Sequence, residues 1–111
     1  MTFRAEFHFD MRPEWENAVK EGLKSLDIRD NIAPFADVKK GDIVRYRSSR
    51  VRVSRINIYQ GVLDAVAYED FKKIAPDAGT RDEALDKILD ELHHLKPPHG
   101  VLVFEIERMD D

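Results

Sequence analysis

Arg50-Val51-Arg52-Val53-Ser54-Arg55-Ile56-Asn57-Ile58-Tyr59 is the stretch on which the fold turns. Val51 and Val53 set one phase of alternation, and Ile56 and Ile58 set the other. An apolar residue at every second position marks a strand with one buried face. The change of phase at Ser54-Arg55 inserts one extra residue and predicts a β-bulge. Bulges bend strands, and a bent strand suits a small closed barrel better than a flat sheet.

Working towards the amino terminus, Ser48-Ser49 reads as a turn and residues 43–47 as a strand, entered through the turn Lys39-Lys40-Gly41-Asp42. Residues 30–40 carry Pro34 and little periodicity, so they read as a loop. Leu26 and Ile28 alternate with Ser25, Asp27 and Arg29, which predicts a short strand with those three polar residues on one face. Phe3, Ala5, Phe7 and Phe9 alternate with Arg4, Glu6, His8 and Asp10 in the first strand. Pro13 suits the first turn of a helix. Trp15, Ala18, Val19 and Leu23 follow at helical spacing, with Gly22 near the helix end.

Working towards the carboxyl terminus, Leu63, Val66, Phe71 and Ile74 predict one or two short helices, broken by residues 76–79. Thr80-Arg81-Asp82-Glu83 matches a capping box. The helix it opens carries Leu85, Ile88, Leu89, Leu92 and Leu95, and Lys96-Pro97-Pro98-His99-Gly100 stops it. Residues 101–106 are rich in β-formers and make a last strand. The order is strand, helix, strand, strand, strand, helices, strand. That is too little strand–helix alternation for a doubly wound parallel sheet. It predicts an α+β barrel of about five or six strands with flanking helices, in a single domain of 111 residues.

Composition removes several function classes. With no cysteine, disulfides and Cys-ligated zinc are excluded. The start of the chain lacks a signal-peptide pattern, and no apolar run reaches the ~20 residues of a membrane span. Cytoplasm is the expected location, with no membrane partner. A net charge of −4 argues against tight non-specific DNA binding. The charge is uneven, however. Lys39, Lys40, Arg45, Arg47, Arg50, Arg52 and Arg55 crowd one stretch, whereas residues 62–95 are rich in carboxylates. The arginine run could track a nucleic-acid backbone, with Tyr46 and Tyr59 stacking bases. It reads equally as the solvated face of a hairpin, with the tyrosines packed in the core. His93, His94 and His99 lack a carboxylate or cysteine at ligand spacing, so no metal is expected. His93 reads instead as a group closing a helix end. No other cofactor is indicated.

Gly22-Leu23-Lys24-Ser25-Leu26-Asp27-Ile28-Arg29 resembles the signature of the ASCH domain, a branch of the PUA-like superfamily. The family pattern is Gly, any, Lys, any, any, an acidic residue, any, Arg. Val38-Lys39-Lys40-Gly41-Asp42 resembles the family's turn before its central strand. Gly100-Val101-Leu102-Val103-Phe104-Glu105-Ile106 resembles its closing strand. The resemblance spans nearly the whole chain. It implies a PUA-like barrel and a partner that is RNA or a modified nucleoside or nucleotide, held in a cleft around Lys24, Asp27 and Arg29. Ser25, Arg45, Arg47 and Tyr46 join these as candidate ligand-binding residues.

In size the chain is similar to the small bacterial acetylcytidine amidohydrolases of that family. These use a lysine, a threonine and a glutamate. Lys24 matches the lysine, Asp27 stands where the threonine would be, and the glutamate position falls near Asp77. A carboxylate cannot replace a threonine nucleophile, because its acyl adduct would be an unstable anhydride. The enzymatic alternative is therefore a hydrolase acting on a modified nucleoside or on RNA. In it Asp27 is a general base activating water and Lys24 stabilises the oxyanion. An ordinary surface ion pair would account for Lys24 and Asp27 without any chemistry.

Overall fold

The computed structural model describes residues 5–92 and 94–109. Phe3, Arg4 and His93, singled out above, lie outside the described residues. Five strands form one curled sheet in the order β1-β3-β4-β5-β2, with β1 Glu6–His8, β2 Leu26–Asp30, β3 Ile43–Arg45, β4 Arg50–Tyr59 and β5 Val101–Arg108. β1 runs parallel to β3, and the other neighbours are antiparallel. The helices are α1 Pro13–Lys20, α2 Val62–Tyr68, α3 Phe71–Ile74 and α4 Arg81–Leu92, with a 3-10 turn at Phe35–Asp37. The architecture is thus an α+β half-barrel with flanking helices, consistent with a small PUA-like barrel.

The predicted bulge is present. The β4–β5 register shifts between Val53 and Arg55. Before the shift, Val51 and Val53 point into the concave face with Phe104, Leu102, Tyr46 and Phe9. After it, Tyr59 joins the opposite face, which the helices cover. The two faces therefore carry separate cores. Val62, Ala65, Ile74, Ala84 and Ile88 pack with Leu26, Ile28, Val101 and Val103 on the helical side. Because β2 alternates, Leu26 and Ile28 face the helices while Asp27 and Arg29 face the concave side.

Local backbone chemistry sets the junctions. Gly22 takes a φ of +79° just after α1, a left-handed conformation that side chains disfavour. Gly100 has a φ of +81°, and a Cβ there would stand 2.4 Å from the Tyr59 carbonyl oxygen. Thr80 caps α4 by accepting from the Glu83 amide at 3.2 Å, while the Glu83 carboxylate accepts from Gly79 instead of reaching back to Thr80.

Three expectations are corrected. Leu23 lies beyond α1 and is exposed, because the helix ends at Lys20 and Gly22 turns the chain away. Leu95 lies past α4 and is also exposed. Ile58 is exposed although it keeps the alternation, because β3 pairs with β4 only as far as Arg52 and leaves the end of β4 with one neighbour.

Candidate functional site

A cleft of about 330 Å³ opens where β2 meets the start of α1, the loop around Phe35 and the end of α4. Trp15, Met11 and Phe35 line its apolar part. Asp27 and Arg29 enter from β2, Asp10 and Asp30 flank them, and Glu91 and His94 close the far side.

The pair from β2 is held by a buried network. Arg29 Nε donates to both Asp27 carboxylate oxygens, at 3.0 and 3.1 Å. Tyr46 donates its hydroxyl to Asp27 Oδ2 at 2.6 Å. Arg29 Nη2 donates to the Asp10 carbonyl at 2.8 Å, and the guanidinium lies over the rings of Phe9 and Phe35, 5.5 and 5.3 Å from their centroids. Burial alone would lower the guanidinium's pKa, but Asp27 and Tyr46 reverse the sign and raise it. Burial, reinforced by the Asp27 charge, lifts the Tyr46 phenol well above its usual value, so it stays a donor.

Lys24 is only 2 % exposed. No ion pair joins it to Asp27 among the described residues. Its ammonium donates to the carbonyls of Leu26, at 2.8 Å, and Ile74, and sits 4.5 Å over the Trp15 ring. Burial lowers its pKa from 10.5 to about 8, against the opposing pull of Asp27. Lys24 does not line the cleft and touches it through Trp15. Asp77 accepts from Trp15 Nε1 at 3.0 Å and pairs with Lys87 at 3.1 Å, in a separate hollow bordered by Pro76 and Leu23. Burial would raise its pKa, but those two partners lower it.

The other expected residues are distributed as follows. Ser25 is half-buried, and its backbone bonds to Lys73 and Ile106 fix the start of β2. Tyr46 is a core residue that acts on the site through its hydroxyl, with no ring face open for stacking. Arg45 and Arg50 converge on Glu6, and Arg55 on Glu69 and Glu105. Arg47 is exposed beside a neighbouring hollow. Arg45, Arg50 and Arg55 are thus tied to carboxylates, whereas Arg47 is exposed. Tyr59 donates to Glu69 at 2.5 Å and stacks on Tyr68, away from the cleft.

Sequence reasoning missed Asp10, Met11, Phe35 and Glu91. Asp10 continued the alternation of the first strand and Phe35 was a lone aromatic in a loop, which is the only local signal either carried. Glu91 comes from α4, which is remote in sequence, and nothing local announces it.

No family model matches the sequence, and no curated protein matches it. Solved structures do. The hypothetical protein PH0355 is 20% identical and superposes with a TM-score of 0.86 over 94% of this chain and 99% of its own. Protein PF0455 from Pyrococcus furiosus is also 20% identical, with a TM-score of 0.79 over 96% of this chain and 99% of its own. Protein EF3133 from Enterococcus faecalis V583, described as DUF984, is 14% identical with a TM-score of 0.61, covering 99% of this chain and 78% of that one. At such identities the likeness establishes a shared fold.

Proposed function

We propose that the chain is an ASCH-type module that recognises RNA bases or modified nucleosides in the cleft over Asp27 and Arg29. The carrying observation is the pairing of a half-buried aromatic wall, Phe35, with a fixed carboxylate–guanidinium pair in a volume of about 330 Å³; Trp15, buried with Arg12 and Lys24 over its ring, closes the floor. A heterocycle stacks on aromatic faces, and its edge meets preset donors and acceptors. The curled sheet is compatible with a small RNA-binding module. Asp10, Asp27, Asp30 and Glu91 line the cleft, and although Arg29 pairs with Asp27 and Arg12 with Glu91, the acidic excess favours a neutral or protonated base edge over a phosphate. No helix among the described residues is long and apolar enough to cross a membrane.

The test is a titration of the ¹⁵N-labelled protein with ribonucleosides, N4-acetylcytidine and short single-stranded RNA. Amide shifts should concentrate at residues 27–30 and 35, and Phe35→Ala should weaken binding about tenfold, a stacking contact being worth ~1–3 kcal/mol. Shifts confined to other surfaces, or none, would refute the reading.

The hydrolytic alternative draws its support from Lys24, whose amine has its pKa lowered to about 8. In that reading Asp27 activates water, Lys24 stabilises the oxyanion and Asp77 lies near the family's glutamate position. Because Lys24 does not line the cleft, the Trp15 ring would have to move to admit substrate to it. Turnover of N4-acetylcytidine or RNA that disappears in both Lys24→Ala and Asp27→Ala, with the fold intact, is the outcome this reading requires.

A further inference from the structure

A second hollow, about 450 Å³, adjoins the cleft and shares Asp10 and Met11 with it. Its remaining walls are Pro13, Glu16 and Asn17 of α1 together with Arg47 and Ser48. We infer that this hollow is a sugar subsite, and that Asp10 selects ribose by accepting a hydrogen bond from its 2′-hydroxyl.

The polarity of the walls carries the inference. Asn17 and Arg47 offer donors, and Asp10 and Asn17 offer acceptors. Glu16 is already engaged by the Ser48 amide, at 2.6 Å, and by the Ser48 hydroxyl. That contact braces the wall and leaves Asp10 as the carboxylate open to a ligand. A phosphate is the poorer occupant, because one guanidinium would face two carboxylates. A polyhydroxyl ring needs both donors and acceptors, and the hollow supplies both. Asp10 is exposed, and its own carbonyl is fixed by Arg29 Nη2 at 2.8 Å. The backbone of Asp10 is therefore held on the wall common to both hollows, and its exposed side chain borders both. A nucleoside with its base against Phe35 would extend its sugar across that wall.

The inference rests on the base-binding reading of the first cleft, and calorimetric titration separates the two. The probes are adenosine, cytidine, guanosine and uridine, their 2′-deoxy counterparts and their 5′-monophosphates. The tightest ribonucleoside should bind about tenfold better than its 2′-deoxy form, a hydrogen bond to a charged group being worth ~1.5–3 kcal/mol. Asp10→Asn should close that gap by weakening the ribonucleoside more than its 2′-deoxy form. The Asp10 carbonyl on Arg29 belongs to the backbone, so the substitution leaves the cleft's own network in place. Asp10→Ala provides a second variant with the same expected loss. Equal affinity for ribose and deoxyribose forms, or a gap that survives both substitutions, overturns the sugar subsite while the base cleft stands. Tighter binding of monophosphates, lost in Arg47→Ala, overturns it in favour of a phosphate. Absence of binding by every probe removes the base cleft and the sugar subsite together.

Discussion

Raising the pH from about 7.5 to about 9.5 should stabilise this protein, and substituting Lys24 with methionine should abolish the gain. The Lys24 amine has a pKa of about 8 when folded, against 10.5 ordinarily. Between those values the unfolded chain binds the proton more strongly. Stability therefore rises as pH climbs through the window and is lost again as pH falls back towards 8. The full difference corresponds to about 3 kcal/mol, and the part gained between pH of about 7.5 and 9.5 is about 2 kcal/mol. Tyr46 opposes this only near pH ~10 and above, where the unfolded phenol ionises and the buried one does not. In Lys24→Met the carbonyls of Leu26 and Ile74 lose their donor, at ~1–3 kcal/mol each, so the variant is not expected to be more stable overall. The decisive quantity is the pH difference within each protein. Urea unfolding followed by the fluorescence of Trp15, the single tryptophan, gives it directly. A wild-type stability that is flat or falls over this range would refute the reasoning, as would a rise that persists in Lys24→Met.

Tyr46→Phe should lower stability by about 2 kcal/mol by removing a buried hydroxyl from an ionised partner, measured by the shift in urea midpoint. Asp27→Ala should cost more, about 3–5 kcal/mol, because it strands the Arg29 guanidinium in the core; a smaller loss than in Tyr46→Phe would contradict the network described. Gly100→Ala should lose about 2 kcal/mol or more through a left-handed φ and a Cβ pressed on the Tyr59 carbonyl, read by thermal unfolding. Trp15→Phe keeps the cleft wall but removes the bond to Asp77, and should leave nucleoside binding within about threefold while lowering stability by about 1 kcal/mol.

Much of this was legible along the chain, for stated reasons. The phase slip in residues 50–59 reports a bulge because side-chain alternation is a local property of the strand. Asp27 and Arg29 fall on one face by the same logic, and Gly22 marks the helix end through its backbone freedom. What alternation cannot report is which surface later covers a face. Lys24 and Asp27 are close in sequence yet bind different partners, because Ile74 and Trp15 close over the lysine while Tyr46 and Arg29 take the carboxylate. In the arginine run, sequence records the cations and not the carboxylates, Glu6, Glu69 and Glu105, that meet Arg45, Arg50 and Arg55. Asp10, Phe35 and Glu91 converge from three separate segments, and only tertiary packing brings them together.

The sheet stops one pairing short of closure: β1 and β2 are its two edges, and among the described residues no backbone ladder joins them. Arg29 bridges the seam by reaching the Asp10 carbonyl, and Tyr46 ties the β3 side to Asp27 behind it. A ladder opens only by unzipping several bonds in series, whereas a strut lets go at one point and leaves both strands intact. Asp27, which holds the other side of the same guanidinium, therefore governs how firmly the seam is latched. Anything that competes for Arg29 would loosen the wall of the cleft it has entered.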